Sequence, residues 1–469
     1  MVTRIVIIGG GPAGYEAALV AAAHGDVEVT VVDSDGLGGA CVLFDCVPSK
    51  TLIASTGLRT DLRRAADLGY DLDIEDAKIL VPKLYQRVKT LAAAQSADIA
   101  DTLCSHGVTL MSGHGELIDV TPGMAHHQVR VTSADGTTSV LPAEVVLIAT
   151  GARPRILPGA EPDGERILTW RQLYDQDQLP EHLVVVGSGV TGAEFVSAYT
   201  ELGVGITVVA SRDQILPHED SDAAAVLEDV FAERGVTLVK NARANKVIRT
   251  QAGVTVEMTD GRRVEGSHAL MTVGSVPNTV ALGLDRAGIG LGRGNYIPVD
   301  RVSRTSVPTI YAAGDCTGLL PLASVAAMQG RIAMYHALGE AVAPIRLRTV
   351  AAAVFTRPEI AAVGVPQSAI DSGRVPARTV MLPLNTNARA KMSSLRRGFV
   401  KIFCRPATGV VIGGVVVAPV ASELILPIAL AVHKLLSVTD LAATLSVYPS
   451  LSGSVTEAAR QLMAHDDLD

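Results

Sequence analysis

Short runs of apolar residues that end in glycine are the most regular pattern in the chain. The first run, Ile5 to Ile8, leads directly into Gly9-Gly10-Gly11-Pro12-Ala13-Gly14, and an alanine-rich segment follows. A continuous apolar run of this length predicts a buried strand, and an alanine-rich segment predicts a helix. A second strand is predicted from Val27 to Val32. The chain therefore opens with a predicted strand, a glycine turn, a helix and another strand.

The first glycine turn has the spacing G-x-G-x-x-G, formed by Gly9, Gly11 and Gly14, and Asp33 follows Gly14 by 19 residues. Between two strands, such glycines let a pyrophosphate approach the backbone, and the helix N-terminus faces the phosphate charge. A carboxylate at the end of the second strand can hold the adenosine ribose hydroxyl. The pattern predicts dinucleotide binding; the alternative is a tight turn without a ligand.

The same unit occurs a second time, with a strand from His182 to Val186 and a strand from Ile206 to Val209. The glycines of its turn are Gly187, Gly189 and Gly192. After the second strand the acidic residue is missing, and Ser211 and Arg212 follow Ala210 instead. A hydroxyl and a guanidinium without a carboxylate favour a 2′-phosphate, so NADPH is expected and NADH is a second candidate. The alternative is that Arg212 faces solvent.

Two cysteines, Cys41 and Cys46, lie five positions apart, between the two predicted strand-turn-helix-strand motifs. In a regular helix five residues turn about 500°, so the two side chains would point about 140° apart. A disulfide requires Cα atoms within about 7 Å, so a bonded pair needs a loop or an irregular turn. Gly38 and Gly39 permit the loop, and Pro48 suits the first turn of a helix. The pattern favours a redox disulfide at a helix entrance; two unrelated thiols are the alternative.

The rest of the chain shows weaker patterns. Leu84, Val88 and Leu91 recur at helical spacing and predict a core-facing stripe, whereas His126-His127 is predicted to be solvated. The remaining predicted elements are helices over most of residues 50–110, a hairpin over 129–140, a strand over 144–150, a helix over 323–338, strands over 400–403 and 410–417, and a helix over 423–435. The block 347–469 has no phosphate motif and is predicted to be a scaffold or an oligomer interface.

Composition narrows the choice of function. The 469 residues carry a net charge of −8 without a basic block, which argues against a nucleic-acid partner. No apolar run reaches the length of a membrane span, and the predicted first strand leaves no room for a signal peptide. Five cysteines fit a reducing cytoplasm. No metal-ligand spacing is present, so no metal is expected.

Taken together, these motifs resemble the flavin-dependent pyridine nucleotide-disulfide oxidoreductases along essentially the whole chain. The resemblance implies an α/β fold with two Rossmann-like dinucleotide-binding domains and an α+β C-terminal dimerisation domain. It implies an FAD-binding and central domain over 1–154 and 279–346, an NAD(P)-binding domain over 155–278 and a dimerisation domain over 347–469. The matching segments are Gly9 to Gly14, Gly39 to Lys50, Ala149-Thr150-Gly151, Gly187 to Glu194, Ala313-Gly314-Asp315, Phe355 to Glu359 and Gly413 to Glu423.

The resemblance also implies individual roles. Cys46 would lie near the flavin and Cys41 would face the substrate, while Lys50 would pair with Glu194 beside the flavin. Asp315 would hold the ribityl chain. Further cofactor contacts are implied at Thr150, Gly151 and Gly274.

The C-terminus departs from the family pattern. Members that reduce disulfides carry His-Pro and, four residues later, a glutamate, which together act as acid and base. This chain has Tyr448-Pro449 and Gly453 at those positions. A phenol with a pKa of about 10 is a poor base near neutral pH, and general acid-base catalysis contributes about 10² to 10⁴ in rate. Disulfide reduction should therefore be badly impaired.

These observations predict a cytoplasmic, homodimeric FAD enzyme that takes hydride from NADPH or NADH and reduces a small-molecule acceptor, best a quinone. Two enzymatic alternatives are an NADPH-dependent disulfide reductase with another base and a transhydrogenase. A non-enzymatic alternative is a flavin-bearing subunit of a multi-enzyme complex.

Overall fold

The computed structural model describes residues 2–63, 65–71, 78–118 and 126–463. Within these ranges no helix is both long and apolar enough to cross a membrane. By its internal contacts the chain divides into two compact units. The first unit contains residues 1–51, 85–155 and 274–345, and the second contains residues 52–84, 156–273 and 346–469.

The helices and strands of the described ranges are numbered here in chain order. The α-helices are α1 Pro12–Ala22, α2 Gly39–Leu43, α3 Cys46–Arg63, α4 Val81–Ser105, α5 Val190–Glu201, α6 Ser221–Glu233, α7 Ala323–Ala337, α8 Gln367–Asp371, α9 Ala388–Met392, α10 Ala421–Leu424, α11 Leu426–Lys434, α12 Val438–Ala443 and α13 Gly453–Met463. The strands are β1 Thr3–Ile8, β2 Val27–Asp33, β3 Thr109–Ser112, β4 His114–Ile118, β5 His127–Thr132, β6 Thr138–Ala143, β7 Val145–Ile148, β8 Ala152–Pro154, β9 Ile167–Leu168, β10 His182–Val186, β11 Gly205–Val209, β12 Thr237–Val239, β13 Ala244–Arg249, β14 Val254–Met258, β15 Arg263–Gly266, β16 His268–Met271, β17 Ser275–Pro277, β18 Ile310–Ala312, β19 Ala351–Val354, β20 Glu359–Gly364, β21 Arg378–Pro383, β22 Phe399–Cys404 and β23 Val411–Ala418.

A parallel five-stranded sheet with the order β18-β7-β1-β2-β3 forms the centre of the first unit. Its central strand β1 is buried on both faces: Ile5 and Ile7 pack into one apolar cluster, and Val6 and Ile8 pack into another. Alternate side chains of a strand point to opposite faces, so an uninterrupted apolar run is what a sheet covered on both sides requires. This explains why the run beginning at Ile5 does not alternate with polar residues.

Helices α1 and α7 pack closely together in the first unit. A Cβ atom built on Gly330 of α7 would lie 2.1 Å from the Ala13 carbonyl oxygen of α1. Only glycine permits this approach of two backbones, so α7 is fixed against the helix that follows the first glycine turn. The first unit also contains the antiparallel sheet β4-β5-β6, whose β5–β6 hairpin agrees with the sequence prediction.

The second unit contains another parallel sheet, with the order β12-β11-β10-β16-β9, and a separate antiparallel sheet β13-β14-β15. Its C-terminal part is an antiparallel sheet with the order β19-β20-β23-β22-β21. Helices α11 and α13 contribute Ile428 and Ala458 to the buried cluster on that sheet. The two parallel sheets and the mixed C-terminal part confirm the predicted fold class.

Three local predictions were wrong. The predicted helix over 423–435 is two helices, α10 and α11, which meet at Ile425. Leu91 is exposed, because the buried stripe of α4 passes through Tyr85, Val88 and Ala92 instead. His127 is half-buried, and its Nε2 lies 2.7 Å from Thr309 Oγ1, so it is not a freely solvated side chain.

Candidate active site

The first glycine turn joins β1 to α1, and its three glycines serve two different purposes. A Cβ atom on Gly9, whose φ is +110°, would lie 2.2 Å from the Ala149 carbonyl oxygen, and one on Gly14 would lie 1.8 Å from the Gly9 carbonyl oxygen. These two glycines are required by the packing of the turn itself. By contrast, a Cβ on Gly11 would meet no atom of the described residues within 4 Å. Gly11 is the N-cap of α1 and therefore leaves an open cradle where phosphate oxygens would meet free backbone N–H groups.

Asp33, at the carboxyl end of β2, fixes this turn. Its Oδ2 accepts a hydrogen bond of 2.6 Å from the Gly10 N–H. Its Oδ1 accepts bonds of 2.8 Å and 2.7 Å from the N–H groups of Asp35 and Gly36. The carboxylate therefore lies beside the cradle, where the sequence places it, and its contact with a ribose stays a prediction.

The second glycine turn, between β10 and α5 in the second unit, repeats this geometry. A Cβ on Gly187, whose φ is +113°, would lie 2.3 Å from the Thr272 carbonyl oxygen, and one on Gly192 would lie 2.3 Å from the Gly187 carbonyl oxygen. Gly189, the N-cap of α5, again faces open space. Each unit thus has a cradle of the same construction, which fits one dinucleotide pyrophosphate in each.

Ser211 and Arg212 follow β11 directly and are both exposed. The Arg212 carbonyl accepts a hydrogen bond of 3.1 Å from the Asn241 N–H, which fixes the backbone of this loop. Within the described part of the chain, the Arg212 guanidinium has no hydrogen bond or ion pair to another residue. It is therefore available to a phosphate at the end of β11, although that role stays a prediction.

The two cysteines lie on either side of the break between α2 and α3, which supplies the irregular turn that their spacing requires. Cys41 belongs to α2 and Cys46 is the first residue of α3. Between them, the Asp45 N–H donates to the Ala40 carbonyl and the Asp45 carbonyl accepts from the Ser49 N–H, each at 2.8 Å. The two thiols are not covalently joined but are hydrogen-bonded neighbours.

The charges around this pair act in opposite directions. The hydrogen bond from Cys46 lowers the pKa of the Cys41 thiol, and Lys50 lowers it further, whereas burial, Asp45 and Asp315 oppose the shift. The same hydrogen bond, together with burial, raises the pKa of the Cys46 thiol. Cys41 is therefore the thiol that ionises first, and Asp45 disfavours the thiolate at both positions.

Asp315 begins a short 3₁₀ turn at the carboxyl end of β18, directly after Gly314. Burial and then the charge of Asp45 raise the pKa of Asp315 to about 6. The buried Gln329 of α7 accepts a bond of 2.9 Å from the Gly314 N–H through its Oε1 and so fixes this turn. Sequence reasoning missed Gln329 and Asp45. The sequence did contain a signal for each of them. Gln329 is a polar residue in the apolar face of α7, and Asp45 is an acidic residue directly before a redox cysteine.

Thr150 and Asn278 link the two segments of the first unit at which the chain leaves that unit, after residue 155, and returns to it, at residue 274. Thr150 Oγ1 donates to the Asn278 carbonyl at 2.7 Å, and Asn278 Nδ2 donates to the Thr150 carbonyl at 2.9 Å. Nearby in the chain, Gly151 and Gly274 have φ values of +65° and +91° and both face open space. The proposed cofactor contacts at Thr150, Gly151 and Gly274 stay predictions.

Glu194 is a buried residue of α5 in the second unit, and its Oε1 accepts a bond of 3.0 Å from the Phe355 N–H. Lys50 belongs to the first unit, where its charge favours the thiolate of both cysteines. The pairing of Lys50 with Glu194 stays a prediction.

Tyr448 and Gly453, which occupy the positions of the family's C-terminal acid-base pair, lie in the second unit. Tyr448 is 86% exposed, and Gly453 begins α13 with its N–H donating to Ser450 Oγ at 3.1 Å. Within the described residues, no group of three or more His, Cys, Asp or Glu is arranged to hold a metal ion. The first unit thus holds a phosphate cradle, a thiol pair and Asp315, and the second unit holds another phosphate cradle and the buried Glu194.

This combination defines a class of protein, and comparison with known proteins agrees with it. The model of the pyridine nucleotide-disulphide oxidoreductase family matches residues 3–330, and the model of its dimerisation domain matches residues 350–459. The chain belongs to this family, whose members are flavoproteins that use FAD and NAD(P)H. The fold and cofactor expectations of the sequence are confirmed.

The chain is also similar to individual characterised members of the family. The chain is 75% identical over 471 aligned positions to the NAD(P)H dehydrogenase (quinone) of Mycobacterium tuberculosis strain H37Rv, covering 100% of this chain and 96% of the relative. It is 31% identical to the dihydrolipoyl dehydrogenase of Chlamydia pneumoniae, covering 97% and 95% of the two chains. The crystal structure of LpdA from Mycobacterium tuberculosis superimposes with a TM-score of 0.95 at 74% identity, covering 98% of this chain and 100% of the other.

Proposed function

We propose that this protein is an NAD(P)H:quinone reductase. The observation that best supports this proposal is that both phosphate cradles are intact, whereas Tyr448 and Gly453 occupy the positions of the acid-base pair. The electron-donating half of the reaction is therefore supported and the disulfide-reducing half is not. The M. tuberculosis relative at 75% identity is an NAD(P)H dehydrogenase (quinone), which supports the same acceptor class.

Each cradle is assigned one dinucleotide. Gly9, Gly11 and Gly14 would hold the FAD pyrophosphate, with Asp33 at the ribose and Asp315 at the ribityl chain. Bound FAD supplies the chemistry of accepting hydride and passing electrons on. With its pKa raised to about 6 by burial and by Asp45, Asp315 is still mostly ionised near neutral pH, so it would act there mainly as a hydrogen-bond acceptor.

The second cradle, formed by Gly187, Gly189 and Gly192, would hold the nicotinamide dinucleotide. The 2′-phosphate of NADPH would lie at Ser211 and Arg212, because the end of β11 has no carboxylate to repel it. NADH lacks this phosphate and would bind without the arginine contact.

Lys50 and Glu194 are assigned to the flavin environment. A lysine near the flavin stabilises negative charge on the reduced ring, and Glu194 would keep that lysine oriented. Because the Phe355 N–H already holds the Glu194 carboxylate, its orientation is fixed by the backbone of the segment after β19. Cys41 and Cys46 would then store electrons or regulate turnover.

The boundaries 1–154 and 279–346, 155–278, and 347–469 are retained as the proposed domains, and the cytoplasm as the proposed location. A homodimer is proposed through the dimerisation domain. Large apolar side chains there are exposed, including Leu445 at 99% and Val447 at 77%. Apolar residues exposed this strongly are expected to be covered by a partner. Light scattering that gave the mass of a monomer at micromolar concentration would contradict this part.

The decisive experiment is steady-state NADPH oxidation by the flavin-loaded protein with three acceptors: a small benzoquinone, lipoamide and glutathione disulfide. Turnover with the quinone and background rates with both disulfides are expected. Efficient disulfide turnover that Cys41→Ser abolishes would favour the disulfide reductase instead. Hydride exchange between NADPH and an NAD⁺ analogue that outpaced quinone reduction would favour transhydrogenation. Copurification with a large partner, together with little turnover, would favour the complex subunit.

A further inference from the structure

The loop directly after β11 is attached to the second cradle. It comprises residues 211–216 and is called here the 211–216 loop. The N–H of its last residue, Leu216, donates to the Ser188 carbonyl at 2.7 Å. Ser188 lies between Gly187 and Gly189. The end of the loop is therefore fixed relative to the turn that would hold the pyrophosphate of the nicotinamide dinucleotide.

The backbone of Leu216 holds this attachment in an unfavourable conformation. Its φ is +49°, in the left-handed region, which leucine rarely adopts. The Leu216 side chain is buried, and its carbonyl accepts a bond of 2.9 Å from the Glu219 N–H. Such a conformation persists only where the surrounding structure fixes it, and it is found most often where a functional segment must keep one arrangement.

The start of the loop is held by the segment that follows β12. The Asn241 N–H donates to the Arg212 carbonyl at 3.1 Å, and Asn241 also has a left-handed φ, of +50°. The Asn241 carbonyl accepts a bond of 2.9 Å from Arg262 Nη2, which fixes this segment in turn. The backbone of Arg212 is thus held in place while its side chain is exposed.

Glu228 of α6 is bonded to both the loop and the segment that holds its start. Its Oε1 accepts a hydrogen bond of 3.0 Å from the Ile215 N–H, and its Oε2 lies 2.5 Å from Lys240 Nζ. Lys240 directly precedes Asn241 in the chain. The side chains of Glu228 and Lys240 are 21% and 33% exposed, so water competes less with these bonds than at an open surface.

NADPH presents two phosphate sites at a limited separation, because the pyrophosphate and the 2′-phosphate are joined through one ribose. The 211–216 loop can meet the 2′-phosphate only if it is held at the matching distance from the second cradle. Ser211 and Arg212 belong to no helix or strand, so that distance is set by the anchors of the loop. A loop that is already ordered also loses less entropy when the nucleotide binds.

We infer that Glu228 is a positioning residue for NADPH, which holds the 211–216 loop where Arg212 reaches the 2′-phosphate. The other two anchors are bonds between backbone groups, whereas this one is made by a side chain and can be removed by substitution. The inference rests on the proposed contact between Arg212 and the 2′-phosphate, and it does not depend on the identity of the electron acceptor. NAD⁺ and NADH, which lack that phosphate, would bind without help from Glu228.

The test is isothermal titration calorimetry of the oxidised, FAD-loaded protein with NADP⁺ and with NAD⁺, which differ only in the 2′-phosphate. Glu228→Ala should weaken NADP⁺ binding about 3- to 10-fold and change NAD⁺ binding less than about twofold, as expected when one hydrogen bond that serves one ligand group is lost. Alanine favours the helix, so α6 is kept. Glu228→Gln retains an acceptor for the Ile215 N–H and should recover most of the NADP⁺ affinity. The control Asp229→Ala, at the next position of α6 with a side chain 75% exposed, should match the unmodified protein.

The same titrations with Arg212→Ala show whether Glu228 acts through Arg212. Arg212→Ala should itself lose the preference for NADP⁺, and adding Glu228→Ala should then cause no further loss. If Arg212→Ala kept the preference, the assignment of the 2′-phosphate would be wrong and the inference would be wrong with it. If Arg212→Ala lost the preference but Glu228→Ala weakened both nucleotides equally, or neither, the inference alone would be overturned.

Hydrogen exchange followed by mass spectrometry, without nucleotide, reports on the loop directly. Peptides covering the 211–216 loop should exchange faster in Glu228→Ala than in Asp229→Ala, because the Ile215 N–H has lost its acceptor. Peptides covering β10 should exchange equally in both variants. Unchanged exchange in the loop would overturn the inference, and so would faster exchange throughout the second unit, which would indicate a general structural role.

Discussion

The Asp45 carbonyl accepts the Ser49 N–H at 2.8 Å, and this bond makes Asp45 the cap of the helix that begins at Cys46. A negative side chain is thereby held directly before one redox cysteine and four residues after the other. Its charge disfavours the thiolate of both cysteines, although the hydrogen bond from Cys46 keeps the pKa of the Cys41 thiol lowered overall. The Asp45 carboxylate thus opposes formation of the thiolate. This is a second feature, besides the absence of the C-terminal acid-base pair, that disfavours disulfide reduction.

Replacing Asp45 with asparagine should make the cysteines more reactive. Without the carboxylate the pKa of the Cys41 thiol falls, so the thiolate fraction is larger at every pH below the original pKa. The pH profile of iodoacetamide alkylation, followed by mass spectrometry at Cys41, should move to lower pH. Asp26→Asn, at an exposed position of the same unit, is the control and should not move it. A profile that moved to higher pH would show that Asp45 acts in another way.

Alanine substitutions at Gly11 and Gly14 should separate flavin binding from folding. A Cβ on Gly11 has no atom of the described part of the chain within 4 Å, so Gly11→Ala should fold with a nearly unchanged Tm of the apoprotein. It should nevertheless bind FAD poorly, because the methyl group fills the cradle. Gly14→Ala places its Cβ 1.8 Å from the Gly9 carbonyl and should lower the Tm as well. Flavin content per chain and the Tm of the apoprotein are the measurements. Full flavin content in Gly11→Ala would place the pyrophosphate elsewhere.

Arg212→Ala should reduce kcat/KM for NADPH and leave that for NADH almost unchanged. A charge-assisted hydrogen bond to the 2′-phosphate contributes about 1.5–3 kcal/mol, which corresponds to a loss of about 10- to 150-fold. Arg263→Ala, an exposed arginine of the same unit, is the control. Equal losses with both nucleotides would show that Arg212 does not contact the 2′-phosphate.

Tyr448→His combined with Gly453→Glu should restore part of any disulfide activity. A Cβ on Gly453 would have only two hydroxyl oxygens nearby, at 3.5 Å and 3.6 Å, so a side chain fits there. A positioned acid-base pair supplies up to about 10² to 10⁴ in rate, so lipoamide reduction should rise above background. Each single variant serves as a control and should recover much less. If Tyr448→His alone recovered the full effect, Gly453 would not mark the lost partner.

Lys401→Met should destabilise the second unit. The Lys401 ammonium is 2% exposed and lies 2.7 Å from Asp220 and 2.6 Å from Asp222. Removing the lysine leaves the buried Asp220 carboxylate without its cation, which costs about 3–5 kcal/mol. A clear drop in Tm is expected. Lys240→Met, which breaks a more exposed ion pair with Glu228, should lower the Tm much less. Equal effects would show that burial of the pair is not what matters.

Local patterns in the sequence were sufficient for the glycine turns. The apolar run at Ile5, the spacing from Gly9 to Gly14 and the acid at Asp33 predict a strand, a turn and a cradle, and the structure contains all three. The reason is that a cradle is built from consecutive residues, so the residue types that it requires all occur in one short segment of the sequence. The same holds for the second turn and for the break between Cys41 and Cys46.

Contacts between distant segments were decided only by the tertiary structure. Gln329 reaches the turn before Asp315, and Gly57 makes room for Arg357, from positions 15 and 300 residues away. The helical break at Ile425, by contrast, has a local cause, because Pro427 lies in the first turn of α11 and a proline disfavours continuation of the preceding helix. A single sequence records which residues are present, but whether Arg234 is buried against Glu201 depends on which segments meet. That is why the cradles could be predicted and the pairing of Arg234 with Glu201 could not.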